Sequence, residues 1–300
     1  MIQAHDLPPN LKLSSLVYGV WRLADDADTS VTHTLAKIDA CLEQGISSFD
    51  HADIYGDYQC EQLFGQALAQ APQLREQIQL ISKCNIAIPS EKFPQRRVKH
   101  YDTSSAYILD SVNNSLKNLH TDYLDLLMLH RPDPFMDAAK TAATLDQLID
   151  SGKVRAIGVS NFMPSDWRLL QKYMQHKIVV NQIEMNLLEQ NSFTDGTLAN
   201  MQIDDITAMA WSPLAGGQLF NDSSAAQRLQ PILARLAEEH GCAIDHIAIA
   251  WLLAHPAGII PVLGTNNLQR IKGLSKACEV KLDRESWFEL YSGAAGCEVP

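Results

Sequence analysis

The amino-acid sequence predicts an α/β protein, a (β/α)8 TIM barrel forming a single domain over residues 1–300, and three observations carry that prediction. Short apolar runs alternate with stretches of helical periodicity, the pattern of strands that cross over through helices into a parallel sheet. There are eight such runs, and eight repeats closing on themselves are simpler than an open sheet of sixteen elements, although a doubly wound fold obeys the same alternation. Seven of the eight end in a polar or aromatic side chain suited to chemistry, and a closed barrel gathers its strand ends at one rim.

The first strand is read over 15–20 and is followed by Trp21 and Arg22, which either line a pocket or pack on the surface. Val31, Leu35, Ile38 and Leu42 share a helical face that stops at Gly45, since glycine accepts the left-handed cap conformation. A second strand over 46–49, diluted by Ser47 and Ser48, leads into Asp50, and a third over 78–82 leads into Lys83. The stretch 85–101 holds Pro89, Pro94 and the basic residues Lys92, Arg96, Arg97 and Lys99; a loop this long is read either as a cover for substrate or as a solvated surface loop. Ile108, Val112, Leu116 and Leu119 form the next helical face, and strand four over 124–129 ends at His130. Gly152 stops the following helix. Strand five over 155–159 ends at Ser160 and Asn161, strand six over 178–183 contains Gln182, and strand seven over 206–210 ends at Trp211. A helix through Leu229, Ile232, Leu233 and Leu236 stops at Gly241, and strand eight over 258–262 runs towards Thr265 and Asn266.

Composition excludes several roles. A formal net charge of -11 disfavours nucleic acid, whose affinity comes largely from Lys and Arg replacing condensed counterions. No run of ~20 apolar residues is free of charge, so no membrane span is expected. The opening Met-Ile-Gln-Ala-His-Asp lacks a basic start followed by an apolar core, which points to the cytoplasm. Six cysteines lack a Cys-x-x-Cys pair, so neither a zinc site nor a redox dithiol is expected; Cys84 is read as a small buried hydrophobe. The expected partner is a small molecule, and a monomer is favoured.

Asp50, Tyr55, Lys83 and His130 form a chemically coherent set. A phenol with an ordinary pKa near ~10 is a poor acid at neutral pH unless a neighbouring cation stabilises its anion; a 100-fold stabilisation corresponds to roughly 2.7 kcal/mol. Lys83 would supply that cation, Asp50 would keep it charged despite burial, and His130 would orient a carbonyl oxygen or share its proton. Such a group suits a reaction in which negative charge develops on a carbonyl oxygen and a proton must follow, and hydride reduction is the clearest case. A Schiff-base aldolase using Lys83 is an alternative, although Asp50 would hold the amine protonated. His51 and Asp53 flank Asp50, but neighbours along an extended segment point in opposite directions, so no metal is expected.

At these residues the chain resembles the aldo-keto reductase family. The resemblance rests on Phe-Asp-His-Ala-Asp-Ile-Tyr-Gly (49–56), Ser82-Lys83, Leu129-His130, Gly-Val-Ser-Asn-Phe (158–162), Asn-Gln-Ile-Glu-Met-Asn (181–186), Trp-Ser-Pro-Leu (211–214) and Pro-Val-Leu-Gly-Thr (261–265). It implies an NADPH-dependent oxidoreductase that reduces an aldehyde or ketone, with Tyr55 as proton donor, Lys83 and Asp50 tuning it and His130 placing the carbonyl. It further implies that Ser160, Asn161 and Gln182 bind the nicotinamide carboxamide, that Trp211 stacks on the ring, and that Ser212, Pro213, Leu214 and Gly216 cover the pyrophosphate. Thr265, Asn266 and Arg270 match positions that hold the 2′-phosphate. The chain lacks a Gly-x-Gly-x-x-Gly fingerprint, as a barrel without a Rossmann domain would.

Two departures qualify this picture. Asn267 stands where the family often has Lys, and Gly273-Leu274 replaces a Glu-Asn pair, so a shallow preference for NADPH over NADH is expected. A tail from about residue 293 is short for the family, so an open pocket is expected. Some members of the family hold nucleotide mainly as regulators of channels, a second possible role.

Overall fold

The structure is a computed structural model describing residues 4–8 and 10–300. Eight parallel strands close into a barrel in chain order: β1 (Val17–Gly19), β2 (Ser48–Asp50), β3 (Gln79–Cys84), β4 (Leu126–Leu129), β5 (Ile157–Ser160), β6 (Ile178–Glu184), β7 (Thr207–Trp211) and β8 (Ile260–Leu263), which pairs back onto β1. The expected barrel is therefore the observed fold.

Most strands extend a little further toward the rim than the apolar runs alone suggest. Asp50, Lys83, Ser160 and Trp211 are themselves strand residues. Apolarity marks burial in the core, whereas the hydrogen-bond ladder continues to the rim under polar side chains.

The pleat sorts the side chains. Phe49, Leu80, Leu127, Ile157, Val159, Ala208 and Ala210 belong to the outer core against the helices. Val17, Ile81, Met128, Val180, Met209, Ile260 and Val262 fill the barrel interior. Two residues beyond interior positions Ile81, Met128, Val180 and Met209 come Lys83, His130, Gln182 and Trp211, so the period of two brings them to one rim.

Helices α1 (Val31–Leu42), α2 (Cys60–Gln70), α3 (Ser105–Asn118), α4 (Ala138–Asp150), α5 (Pro164–Gln171) and α6 (Thr197–Ile203) follow the first six strands. After β7 come α7 (Ser224–Glu239) and α8 (Ile244–Leu253); after β8 come α9 (Leu268–Ile271) and α10 (Arg284–Ala295). Ser30, Ser104, Asp137, Ser223 and Asp283 cap α1, α3, α4, α7 and α10 through their side chains. Gly45, Gly152 and Gly241 lie just past helix ends at φ 82°, 75° and 62°, as their caps require.

Two hairpins go beyond the sequence reading. Ala4–Leu7 pairs antiparallel with Leu11–Ser14, and Leu7, Leu11 and Leu13 pack into the interior cluster of the barrel. Ser14 hydrogen-bonds Ser48 at the start of β2, so this hairpin closes the end opposite the rim. Ile86–Ala87 pairs with His100–Tyr101, stapling the ends of the 85–101 loop. Among the described residues, no helix is long and apolar enough to cross a membrane.

Candidate active site

The rim side chains converge on the buried ammonium of Lys83, at the C-terminal end of β3. Its Nζ donates to Asp50 Oδ2 at 2.6 Å, to the His51 carbonyl at 2.9 Å and to Tyr55 Oη at 2.9 Å. Those three bonds use all three donors of an ammonium. Burial pulls Lys83 down, but the charge of Asp50 and the oxygen of Tyr55 outweigh it, so the amine is held above its ordinary value and stays charged. Asp50 Oδ1 accepts from Gln182 Nε2 at 3.0 Å, linking β2 to β6 across the barrel.

Tyr55 stands at the start of a tight turn, Tyr55–Tyr58, whose next three residues have left-handed φ: Gly56 57°, Asp57 51° and Tyr58 66°. For a non-glycine residue this costs on the order of 1–2 kcal/mol. A Cβ at Gly56 would come within 2.5 Å of Ala24 Cβ and 2.7 Å of Cys60 Sγ, so only glycine fits between the loop after β1 and α2.

Burial pushes the Tyr55 phenol up and Lys83 pulls it down; burial prevails. This corrects the expectation of a phenol made acidic overall. The ammonium offsets part of the burial penalty, and the hydroxyl keeps its proton at neutral pH. Because Lys83 donates to the phenol oxygen, the phenol's own proton remains available to another acceptor.

The His130 ring meets the Tyr55 ring edge-to-face at 5.8 Å. Burial, then the nearby charges of Lys83, Arg131 and Lys99, holds His130 well below the usual imidazole value, so it is neutral. Its Nδ1 is buried without a hydrogen-bond partner. His51, the other histidine of this region, packs its ring against Phe64 edge-to-face at 4.6 Å, and burial pushes it down to about 3. Among the described residues no group of three or more His, Cys, Asp or Glu is placed to hold a metal ion.

A second chain of bonds crosses the rim beside Lys83. Trp211 Nε1 donates to Asn161 Oδ1 at 3.0 Å, Asn161 Nδ2 to Ser160 Oγ at 2.8 Å, and Ser160 Oγ to the Gln182 carbonyl at 2.8 Å. The indole is thus fixed at the rim, with amide groups beside it. With its Nε2 on Asp50, Gln182 keeps its side-chain carbonyl as an acceptor, and Asn161 keeps a second amide proton. That donor and acceptor set fits a carboxamide, which presents both kinds of group.

Beyond Trp211, Ser212, Ala215, Gly216 and Gly217 all have positive φ, and Cβ atoms on the two glycines would meet nothing within 4 Å. The loop offers open backbone, while Pro213 is buried and Leu214 packs on the outer core. At the far end, Thr265 is held by Tyr18 Oη on its carbonyl at 2.7 Å, and Asn267 caps α9. The Asn266 amide is engaged on both sides, donating to the Arg22 carbonyl at 2.6 Å and accepting from Lys37 Nζ at 3.2 Å. Arg270 is exposed.

Trp21 and Arg22 are exposed and stacked on each other at 5.2 Å. All six cysteines are free, and Cys84 is buried with its thiol raised by that burial. The sequence reading missed Tyr58 and the bond between Asp50 and Gln182. An aromatic three residues past Tyr55 was the signal for the first; the second needs the barrel to close.

The Aldo/keto reductase family profile matches residues 15–292. The chain is 52% identical over 293 residues, 98% of each chain, to the 6-dehydroglucose reductase of Agrobacterium fabrum. It is 41% identical over 294 residues, 98% of this chain and 97% of the other, to the oxidoreductase YdhF of Escherichia coli. Among solved structures it resembles the thermostable aldo-keto reductase Tm1743, crystallised with the inhibitor epalrestat, with a TM-score of 0.82, 27% identity and coverage of 97% of this chain and 100% of that one. With the closed barrel and its rim, these matches show that the chain is an oxidoreductase belonging to the aldo/keto reductase family.

Proposed function

We propose that this protein reduces an aldehyde or ketone to an alcohol with NADPH as reductant and Tyr55 as proton donor. The observation that carries the reading is the placement of Tyr55 Oη 2.9 Å from a buried ammonium with no donor left for anything else.

Bound NADPH supplies the hydride that adds to the carbonyl carbon. The residues do the rest. Tyr55 and His130 face the carbonyl oxygen, and as charge develops there the phenol proton passes to it, giving the hydroxyl. The phenolate left on Tyr55 is stabilised by Lys83, which Asp50 keeps charged and aimed. Neutral His130 orients the oxygen without competing for the proton.

Ser160, Asn161 and Gln182 would hold the carboxamide, and Trp211 would give the ring a flat face whose angle Asn161 sets. Ser212, Pro213, Leu214 and Gly216 would cover the pyrophosphate. With the Asn266 amide committed to Arg22 and Lys37, the grip on a 2′-phosphate would fall mainly to Thr265 and Arg270. The engaged donors of Lys83 speak against a Schiff-base aldolase, whose lysine must be free and unprotonated.

The name of the 52% identical relative makes a polyhydroxylated aldehyde such as 6-dehydroglucose the first substrate to try. The test is cofactor oxidation across a panel of aldehydes and ketones, that sugar included, with NADPH and NADH side by side. Turnover with NADPH on at least one aldehyde is expected. Tight NADPH binding without turnover on any carbonyl would indicate a nucleotide-sensing regulator and overturn the reading.

A further inference from the structure

We propose that the 85–101 loop is a brace for Tyr55, acting through Tyr58, and that Tyr58 and Arg96 are positioning residues for proton transfer. The proposal rests on the reading of Tyr55 as the proton donor.

The sequence left this loop as either a substrate cover or a solvated surface loop. In the structure it folds onto the turn that carries Tyr55. Tyr58 is buried, and its hydroxyl accepts two bonds from the loop, from the Ile88 N–H at 3.1 Å and from Arg96 Nη1 at 2.6 Å. Phe93 packs on the Tyr58 ring edge-to-face at 4.9 Å, and the Arg96 guanidinium lies 3.7 Å from the Phe93 ring centroid and 5.6 Å from that of Tyr107. The loop is itself anchored, because its ends pair as a ribbon and Tyr107 of α3 donates to the Ile86 carbonyl at 2.9 Å.

Tyr55 needs such support. Its hydroxyl meets Lys83 and its ring meets His130, contacts that depend on the backbone turn that carries the residue keeping its shape. That backbone runs through three left-handed residues, two of them not glycine, a conformation that persists where the surroundings impose it. One side of the turn is held at Gly56 by Ala24 and Cys60. The other side is held at Tyr58 by the loop. Releasing the loop lets the turn relax and shifts Tyr55 Oη relative to the carbonyl, and a misplacement of order 1 Å costs about 100-fold in rate.

The test compares Tyr58→Phe, which removes only the oxygen that receives the loop, with Arg96→Met and the double variant. A fall in kcat of about 10-fold or more is expected for each single variant, with the KM for the carbonyl and the Kd for NADPH changed less than about 3-fold. The double variant is expected to be no slower than the slower single one, because both act through one contact. The solvent deuterium isotope effect on kcat/KM should rise as proton transfer becomes slower, which a general loss of stability would not produce. Arg96→Lys should recover part of the rate. An unchanged kcat with a raised KM would show a substrate cover and overturn the brace, and so would full activity in Arg96→Met, which serves alone if Tyr58→Phe does not fold. Tyr55→Phe separates the two readings: if it is inactive while Tyr58→Phe and Arg96→Met are fully active, the brace fails alone, and if it turns over normally, the role of Tyr55 fails first.

Discussion

Lys83 is a buried cation whose every donor is engaged and whose charge is met by one carboxylate at 2.6 Å. Such a pair is weak evidence for stability, but breaking it leaves an uncompensated charge. Asp50→Asn is therefore expected to destabilise the fold by about 3–5 kcal/mol, read by denaturant titration. A loss under about 1 kcal/mol would show that the ammonium does not depend on that carboxylate. His51 gives a pH signature at the same scale. Its ring is fully buried with both nitrogens unpartnered and is pushed down to about 3, so between about pH 6.5 and 3 the unfolded chain takes up a proton that the folded one refuses. Stability falls as pH drops through that window. His51→Leu should flatten the slope by up to one proton, about 1.4 kcal/mol per pH unit, while His130 keeps its own contribution. Equal slopes in the two proteins would place the titration elsewhere. Asp50, Lys83, His130 and Trp211 were legible in the sequence because a polar or bulky residue where an apolar run stops is conspicuous. Tyr58 and Arg96 were not, because their pairing depends on a loop folding back.

Among the elements, the pleat does the positioning. Strands β3, β4, β6 and β7 each place an apolar residue inside the barrel and a functional one two residues later, so the register that packs the core also aims the rim. The helices are packed as closely. A Cβ at Gly65 of α2 would sit 1.8 Å from the Asn118 carbonyl oxygen at the end of α3, and backbone has little room to give. Gly65→Ala is expected to cost about 1–3 kcal/mol or more by forcing those helices apart, with a lowered Tm as the readout. An unchanged Tm would mean that α2 and α3 are not in contact there. Alternation and helical spacing revealed every barrel strand and helices α1, α3, α4 and α7, though not α2, α5, α6, α8, α9 or α10. They did not reveal the pairing of Ala4–Leu7 with Leu11–Ser14, whose apolar side is little more than Leu7, Leu11 and Leu13, too short to stand out until the barrel mouth it plugs exists. Nor did they reveal the Ile86–Ala87 ribbon, two residues to a strand.

At the scale of the whole molecule, the closed barrel brings residues more than 200 positions apart into contact, Tyr18 and Thr265 at 2.7 Å among them. Order along the chain made the barrel legible; distances across it were not. Arg270→Met should lower kcat/KM with NADPH by about 10-fold and leave NADH nearly unchanged, because a guanidinium gripping the 2′-phosphate matters to one cofactor alone. Equal losses with both cofactors would remove Arg270 from that role. The proposed proton transfer rests on the phenol beside the ammonium, and the most direct test measures Tyr55→Phe in two ways on one sample, NADPH affinity by fluorescence titration and NADPH-driven carbonyl reduction in a single turnover. The expected result is a Kd within about 3-fold of the parent and a rate lower by at least about 100-fold, the scale of one positioned proton donor. Reduction at the parent rate with the cofactor bound normally would contradict it.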